Sequence, residues 1–336
     1  MLDHFFPGWF EGCLRHNSQH SCYGNREDPA MAKRPMSSDQ TSSFQAATNS
    51  VKPWIWSIGL YSGTSPLQLA PAQGIVNPVL SAGDVVDVPA RFVADPFMLR
   101  VDGIWHMFFE VMNDISGKGE IGMAISRNGF NWEYQEIVLK EPFHLSYPCV
   151  FQDNGDFYMV PETLDAGSIR LYRAVSFPDD WVHVKDLVRG KHADPSIFSF
   201  AGKWWLFACP APKTHDVLSL YYANDLDSNW VPHPCNPIVT GNNRIARPGG
   251  RVLVHDGQLV RFAQDCYPTY GSRVRAFQIT ELTPTTYRET EAKETPVLVP
   301  GKGGWNVSGM HHVDVHLAEN GKWLACVDGL LNVQPE

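Results

Sequence analysis

A repeated hairpin motif limits the folds that this chain can adopt. Its copies begin at Asp95-Pro96, Tyr147-Pro148 and Asp194-Pro195, roughly fifty residues apart. In the first and third copies a glycine, a tryptophan and a phenylalanine follow at the same spacing: Gly103, Trp105 and Phe108, then Gly202, Trp204 and Phe207. A unit of this length that starts with a polar residue, a proline and a strand predicts the blades of a β-propeller.

Further matches in register delimit the blades. The fourth strand opens with Asn131-Trp132, Asp180-Trp181 and Asn229-Trp230. We expect an all-β, five-bladed propeller with four-stranded antiparallel blades at residues 92–140, 143–189, 192–239, 246–293 and from 309 onward. Only two strands of the fifth blade fit before the end of the sequence. We therefore expect the N-terminal segment 54–90 to complete that blade and close the ring, which removes an exposed sheet edge.

Composition narrows the function classes. A formal net charge of −9 argues against a general nucleic-acid or anionic-membrane surface. The seven cysteines include no CxxC pair, so no zinc site is expected. No signal peptide or membrane span is apparent, which predicts a cytoplasmic protein. Residues 1–50 are polar and aperiodic and are predicted to be a disordered extension, followed by the propeller domain at 51–336.

Hairpin geometry predicts a polar site at one end of the central channel. Counting from each turn places Asp95 opposite Glu110, Tyr147 opposite Glu162 and Asp194 opposite Cys209. Equivalent positions in the other blades add charged and polar residues to the same mouth. The full candidate set is Asp95, Glu110, His144, Tyr147, Glu162, Asp194, Arg247, Arg251, Asp265, Arg273, His311 and His312.

Simpler interpretations exist for single members of this set. An Asp before Pro often only caps a turn. Glu110 can pair with Lys118, Asp265 can pair with Arg273, and the two adjacent histidines can be core residues. A metal held by three residues on one face of the last inner strand is a further alternative: His312, Asp314 and His316. Our prediction includes no metal and no cofactor.

Clustered carboxyl groups suit glycoside cleavage. One protonates the leaving oxygen while a second activates water or attacks carbon, and a third tunes the pKa of a neighbour. Arginines bind carboxylate or phosphate through two parallel hydrogen bonds. Arg247, Arg251 and Arg273 therefore predict an anionic group on the ligand.

The chain resembles the N-terminal domain of plant glucosamine inositolphosphorylceramide transferases, over roughly residues 75–330. The segments that carry the resemblance are Phe92–Phe97, Phe108–Glu110, His144–Pro148, Pro161-Glu162, Arg170–Ala174, Gly249–Arg251, Gln264–Cys266, Tyr270-Gly271 and His311–Asp314. In that family the transferase activity is assigned to a separate C-terminal domain. We therefore do not expect this chain to carry that activity itself.

More distantly, the arrangement is similar to the five-bladed enzymes of glycoside hydrolase family 43. The resemblance implies that Asp95 is the general base and Asp194 the residue that tunes a pKa. The expected acid on the fourth blade is missing, because that blade starts with Arg247-Pro248-Gly249. Either Glu162 supplies the acid from another blade or the hydrolase chemistry is lost.

Two function classes and a third possibility follow. The first is a propeller that binds and hydrolyses a glycan or glycoconjugate, with Asp95 as base, Glu162 as acid and Asp194 as pKa modulator. The alternative is a non-catalytic carbohydrate-binding domain that orients substrates for a partner glycosyltransferase. A protein-interaction scaffold is the third, and it would be favoured if the acids only paired with arginines and left no cavity.

Overall fold

The computed structural model describes residues 54–332, which form five four-stranded antiparallel sheets. The predicted disordered extension, residues 1–50, lies outside the described residues. The first two strands along the chain are β1 (Trp54–Ser65) and β2 (Gln68–Pro71). Two short 3₁₀ turns interrupt the strands, at Ala82–Asp84 and Leu164–Ala166. In the part of the chain described, no helix is long and apolar enough to cross a membrane.

Four blades follow one another along the chain. Blade one contains β3 (Ala90–Val101), β4 (Ile104–Asn113), β5 (Lys118–Ser126) and β6 (Glu133–Leu139). Blade two contains β7 (Ser146–Asp153), β8 (Asp156–Glu162), β9 (Ser168–Ser176) and β10 (Asp180–Arg189). Blade three contains β11 (Ala193–Phe200), β12 (Lys203–Cys209), β13 (Ser219–Ala223) and β14 (Val231–Pro232). Blade four contains β15 (Leu253–His255), β16 (Gln258–Asp265), β17 (Arg273–Leu282) and β18 (Tyr287–Glu291).

The fifth blade joins the two ends of the described chain. Its inner strands are β19 (Val313–Leu317) and β20 (Trp323–Asn332), and β1 and β2 complete it in the order β19-β20-β1-β2. Ten consecutive pairs, from Trp54 with Asn332 to Gly63 with Trp323, join β1 to β20. The five-bladed fold and its closure by the N-terminal segment are therefore confirmed, and the long pairing protects both strands from exposure as sheet edges.

Apolar packing between neighbouring blades holds the ring together. Residues Trp105–Val111 of β4 are buried on both faces because each sheet is sandwiched between two others. Phe108 of blade one, for example, meets Trp181 of blade two edge-on, with ring centroids 5.6 Å apart. Tryptophan and phenylalanine recur in the sequence motif because their large side chains fill the space between neighbouring sheets.

Blade four departs from the predicted pattern at its inner strand. The predicted start at Arg247 is not part of β15, which is only three residues long. Instead, Gly250 adopts φ +148° and forms a parallel bridge with Val313 of blade five. A Cβ atom at this glycine would lie 1.9 Å from the Val313 carbonyl oxygen, so only glycine permits this approach. The chain before β15 therefore lies close to the axis, and Arg247 reaches the neighbouring blade.

Candidate active site at the channel mouth

Three equivalent bulges lie near the starts of inner strands. In β3, Ala94 pairs with Glu110 and Phe97 pairs with Phe108, so two residues of β3 lie opposite one residue of β4. The same step occurs in β7 and β11. The bulged residues Asp95, Tyr147 and Asp194 have φ values of 53°, 49° and 50°. A non-glycine residue in this region is strained, and such residues cluster at functional sites.

The bulges correct the predicted register by one residue. Glu110 pairs with Ala94 and not with Asp95, Glu162 pairs with Ser146 and Cys209 pairs with Ala193. Counting from the turn misses the shift because it assumes an unbroken ladder. The proline after each bulged residue has no N–H to donate, and the left-handed residue before it turns its side chain out of the alternating pattern.

Asp194 and Arg247 form the most tightly bonded pair of the mouth. Arg247 donates from Nε to Asp194 Oδ2 at 2.5 Å and from Nη2 to Oδ1 at 3.2 Å. The Gln264 amide donates to the same Oδ2 at 2.5 Å. Burial alone would raise the pKa of Asp194, but the Arg247 charge outweighs it and holds that pKa below its ordinary value. Asp194 is therefore an ionised group in a site from which water is largely excluded.

Glu162 lies beside this ion pair and takes the opposite protonation state. Its Oε2 accepts the Asp194 backbone N–H at 3.1 Å and lies 3.6 Å from Arg247 Nη2. Burial, followed by the negative charge of Asp194, raises the pKa of Glu162 well above its usual value. One carboxyl group therefore keeps its proton while its neighbour stays ionised, which is the pattern that separates an acid from its modulator.

Asp95 occupies the other side of the mouth with His311 and Asp328. His311 Nδ1 lies 2.6 Å from Asp328 Oδ2, and its Nε2 lies 3.7 Å from Asp95 Oδ1. Asp328 also accepts the backbone N–H groups of His311, His312 and Asp95 at 3.0, 3.0 and 3.2 Å. Burial raises the pKa of Asp95 to about 7, and His311 opposes this shift. Within the described chain, Asp95 Oδ1 is buried and has no hydrogen-bond partner.

A divalent cation would find three donors at this position. Ligand atoms of Asp95, His311 and Asp328 lie within 4.8 Å of one another. The Asp328 oxygens, however, already accept three backbone N–H groups and face His311 Nδ1. The cluster is thus organised by hydrogen bonds and one ion pair without a metal.

Glu110 is held by His144 at the edge of the mouth. His144 Nδ1 accepts the Gly119 N–H at 2.9 Å, so its Nε2 carries the proton when the ring is neutral. That Nε2 lies 3.3 Å from Glu110 Oε1. Burial and the nearby charge of Asp95 raise the pKa of Glu110 well above its usual value. Glu110 is therefore a protonated group close to the other carboxyls, and it does not pair with Lys118, whose ammonium donates to the Pro142 carbonyl.

Tyr147 and Arg251 were predicted to face the mouth, but in the structure neither side chain does. The Tyr147 hydroxyl accepts the Gly250 N–H at 2.6 Å and lies 2.8 Å from Ser196 Oγ. Arg251 donates from Nε to Asp314 at 2.7 Å and from Nη1 to the Val150 carbonyl at 2.8 Å. Both side chains thus fill the channel and join blades.

The alternative metal site on the last inner strand does not fit this arrangement. The Arg251 guanidinium bonds to both oxygens of Asp314, and His316 Nε2 lies 2.9 Å from one of them. His312 turns its Nε2 to the Pro96 carbonyl at 2.9 Å. A positive charge already occupies the position next to Asp314, and a cation there would be repelled.

Asp265 and Arg273 lie apart from the carboxyl cluster. Gln264 faces Asp194, and side chains alternate along a strand, so Asp265 points to the other side of β16. There it accepts from Arg275 Nε at 2.9 Å, and Arg273 Nε lies 3.8 Å away. The alternative pairing of Asp265 with an arginine is therefore close to what the structure has, with Arg275 as the nearer partner.

Sequence reasoning missed the residues that cover the mouth. Trp56 stacks on His311 with ring centroids 4.1 Å apart. Tyr270 meets His311 edge-on at 5.2 Å, and the Arg247 guanidinium lies 5.1 Å from the Tyr270 ring. His215 closes a third side and its Nδ1 lies 3.0 Å from Arg247 Nη1. These residues are on three separate blades or loops, so the hairpin repeat does not mark them, although Tyr270 lies in a segment that carries the family resemblance.

Asp328 and Gln264 were also missed, although each leaves a signal. Asp328 is a charged residue inside the otherwise apolar strand β20, and Gln264 ends an apolar run in β16. An isolated polar residue in a buried strand needs a partner, and that requirement was sufficient to mark both positions.

Comparison with known proteins identifies the family. The family model described as glucosamine inositolphosphorylceramide transferase 1, N-terminal, matches residues 51–330. The chain belongs to this family. The glucosamine inositolphosphorylceramide transferase 1 of Arabidopsis thaliana is 36% identical over 295 residues, which cover 82% of this chain and 39% of that protein. This chain therefore corresponds to the N-terminal part of the plant transferase and spans well under half of its length.

Solved structures show the same fold at low identity. The catalytic domain of a Coprinopsis cinerea GH62 α-L-arabinofuranosidase has a TM-score of 0.53 at 12% identity, covering 84% of this chain and 98% of that one. A thermostable family-43 glycoside hydrolase has a TM-score of 0.52 at 15% identity, covering 78% and 93%. This family of transferase N-terminal domains therefore has the propeller fold of these glycoside hydrolases.

Proposed function

We propose that the channel mouth binds a glycan or glycoconjugate and that its carboxyl groups hydrolyse a glycosidic bond. The observation that carries the proposal is the division of protonation states among three buried carboxyl groups. Glu162 is held protonated, Asp194 is held ionised, and burial raises the pKa of Asp95 to about 7. Neighbouring buried groups whose pKa values are pushed apart are suited to acid and base roles.

Each carboxyl group then has a distinct role. Glu162 donates its proton to the oxygen of the leaving group, and Asp95 takes a proton from the attacking water. Asp194 touches neither step directly. Its negative charge, fixed by Arg247 and Gln264, keeps the proton on Glu162 until the substrate arrives. Glu162 thus replaces the acid that the resemblance to family 43 places on blade four.

The mouth also offers the apolar surface that sugar rings require. Trp54 is 41% exposed and stacks with Tyr270 at 6.3 Å. Aromatic faces beside carboxyl groups are suited to the C–H face and the hydroxyls of a sugar. Asp95, Glu110 and Glu162 are only 5, 6 and 9% exposed. We therefore expect the ligand to displace part of the Trp54–Tyr270 cover when it reaches the carboxyls.

The second candidate is a non-catalytic domain that binds the same class of ligand and presents it to a partner glycosyltransferase. Two observations favour this non-catalytic role. The carboxyl groups are nearly buried, and blade four has an arginine paired with Asp194 where an acid was expected. It also agrees with the plant relatives, whose full-length chains are transferases. A cytoplasmic location stays a prediction in either case.

A turnover and binding screen separates the two candidates. Neutral and anionic glycosides would be incubated with the wild type, with Asp95→Asn and with Glu162→Gln, and release of the aglycone would be followed. For the hydrolase we expect each substitution to lower kcat by 10²-fold or more, since general acid–base catalysis contributes about 10²–10⁴-fold. Lys118→Ala, which removes an exposed ammonium bonded to Pro142, is the matched control. Binding by calorimetry without turnover by any variant supports the accessory domain, and full turnover by both variants refutes the catalytic assignment.

A further inference from the structure

Two arginines on blade four present guanidinium groups that have no hydrogen-bond acceptor among the described residues. Arg244 precedes the inner segment of the blade, and Arg273 is the first residue of β17. Their closest carboxylate oxygen is Asp265 Oδ2, 3.9 Å from Arg244 Nη1 and 3.8 Å from Arg273 Nε. Both distances exceed those of a hydrogen bond. Over residues 54–332 neither guanidinium has a hydrogen-bond acceptor, and Arg273 Nε is buried without a partner.

Asp265 cannot neutralise both groups. Its Oδ2 already accepts from Arg275 Nε at 2.9 Å, and its Oδ1 accepts the Tyr267 N–H at 3.1 Å. Arg275 has a second acceptor in Glu291 at 2.6 Å. The cluster therefore holds three guanidinium groups and two carboxylates, so it carries a net positive charge. The side chains of Arg244 and Arg273 are 42 and 37% exposed, which leaves both accessible to a solute.

The arginines within the channel are not available for an anion. Arg247 is bonded at two points to Asp194, and Arg251 is bonded at two points to Asp314. An anion next to either would also face the buried carboxyl groups. Arg244 and Arg273, by contrast, are accessible at the rim of blade four.

One loop connects this rim to the carboxyl cluster. Residues 266–272 link β16 to β17. The Arg244 guanidinium lies 4.1 Å from the Tyr267 ring, while Tyr270, three residues further on, packs against Arg247. Three residues span at most about 10 Å. A glycoconjugate seated against Tyr270 can therefore place a substituent against Arg244 and Arg273.

We propose that Arg244 and Arg273 form a subsite for a phosphate group carried by the ligand. This inference rests on the proposed function, since it assigns the anionic part of that ligand to the rim. Guanidinium groups recognise oxyanions through paired N–H donors. Two such groups offer more donors than a single carboxylate can accept in this geometry, and the three terminal oxygens of a phosphate monoester match them.

The test measures binding of inorganic phosphate, glucose 6-phosphate, glucuronate and neutral glucosides by calorimetry at low ionic strength. We expect Arg244→Ala and Arg273→Ala each to weaken phosphate and glucose 6-phosphate binding by 5-fold or more, while neutral glucosides bind as before. Arg273→Lys keeps the positive charge but loses the paired N–H donors of the guanidinium, so it should weaken phosphate binding by an intermediate amount. Arg288→Ala, which removes an exposed arginine paired with Glu281 on the same blade, is the matched control. Both alanine variants leave the Asp265–Arg275 bond in place, so thermal unfolding should be unchanged.

The outcomes separate this subsite from the proposed function. Unchanged phosphate affinity in both alanine variants, or an equal loss for neutral and phosphorylated sugars, overturns the subsite. Tighter binding of glucuronate than of glucose 6-phosphate overturns the assignment to phosphate. If the wild type binds phosphate through these arginines but binds no glucoside, the subsite stands and the glycan function falls. If neutral glucosides bind and phosphate does not, the reverse holds.

Discussion

Asp194 and Arg247 belong to neighbouring blades and are joined by two hydrogen bonds, 2.5 and 3.2 Å long, inside the channel mouth. Arg247 stands at the start of blade four, where the resemblance to glycoside hydrolase family 43 led us to expect an acid. Its charge holds the pKa of Asp194 below the ordinary value. Burial and then the negative charge of Asp194 raise the pKa of Glu162 well above its usual value, although Arg247 opposes this shift.

Breaking this pair from one side should destabilise the fold strongly. Asp194→Asn leaves Arg247 buried with a charge that only Glu162, 3.6 Å away, can oppose. We expect a loss of about 3–5 kcal/mol in the free energy of unfolding, measured by urea denaturation. The double variant Asp194→Asn/Arg247→Met should recover part of the loss, since the unpaired charge is gone. A double variant that is less stable than Asp194→Asn would contradict this account.

We expect ionisation of Asp95 to lower the free energy of unfolding. Burial raises its folded pKa from 3.8 to about 7, so the folded state binds the proton more tightly than the unfolded chain. Stability therefore falls as the pH rises from about 4 to 7, and the full penalty is present above 7. Asp95→Asn keeps a residue that tolerates the left-handed backbone and should raise the free energy of unfolding by about 2 kcal/mol at pH 8 and by less at pH 5.

Asp314 provides the matched contrast to Asp95. It is equally buried, but Arg251 outweighs the effect of burial and holds its pKa below the ordinary value. Its ionised form stabilises the fold at neutral pH, and that contribution is lost only as the pH falls through its lowered pKa. Asp314→Asn should therefore destabilise by about 3–5 kcal/mol at pH 8. If both asparagine variants shift unfolding in the same direction, the distinction between a site residue and a structural one fails.

Turnover, where it occurs, should depend on pH through Asp95. As a general base it must be ionised in the free enzyme, so kcat/KM should fall as the pH drops below about 7. Asp194→Asn should lower the pKa of Glu162 and move the alkaline limb to lower pH. A pH–rate profile that is flat from pH 5 to 8 in the wild type would contradict the role of Asp95.

Tyr147 should prove structural despite its place in the repeat. Tyr147→Phe removes the acceptor of the Gly250 N–H and leaves that group buried, at a cost of about 1–3 kcal/mol. Ligand affinity should not change, since the hydroxyl lies within the filled channel. Thermal unfolding measures the stability and calorimetry measures ligand affinity. A loss of ligand affinity without a loss of stability would show that Tyr147 belongs to the binding site.

Replacing Tyr270 tests whether the aromatic rings at the mouth contribute to sugar binding. Tyr270→Ala removes a ring that contacts Arg247, His311 and Trp54. We expect sugar affinity to fall by about 3–10-fold, from the loss of stacking worth about 0.5–1.5 kcal/mol. Tyr267→Ala, three residues away on the same loop, should leave the affinity for neutral sugars unchanged. Tighter sugar binding by Tyr270→Ala would show that this ring obstructs the mouth.

The local repeat was sufficient to predict the blades and their closure. Strand alternation, hairpin turns and the repeated Trp residues depend on near neighbours in the chain, and they predicted all five sheets. The same repeat marked Asp95 and Asp194, since both occupy the position before proline that starts an inner strand. Glu110, Glu162 and His311 are buried beside charged partners, and their roles in a site stay predictions.

What the sequence could not decide depends on contacts between strands, both within a blade and between blades. The one-residue bulges, the turn of Asp265 to the far side of its strand and the capture of Arg251 by Asp314 each follow from backbone geometry summed over several strands. Protonation states depend still more on the tertiary structure, because burial and charges from distant parts of the chain set them. The sequence alone therefore determined the propeller and several of its acids, but it missed Asp328 and assigned Asp265 to the wrong cluster. Only the tertiary structure decided which acid keeps its proton and which arginines stay free, because both depend on burial and on the relative positions of several strands and loops.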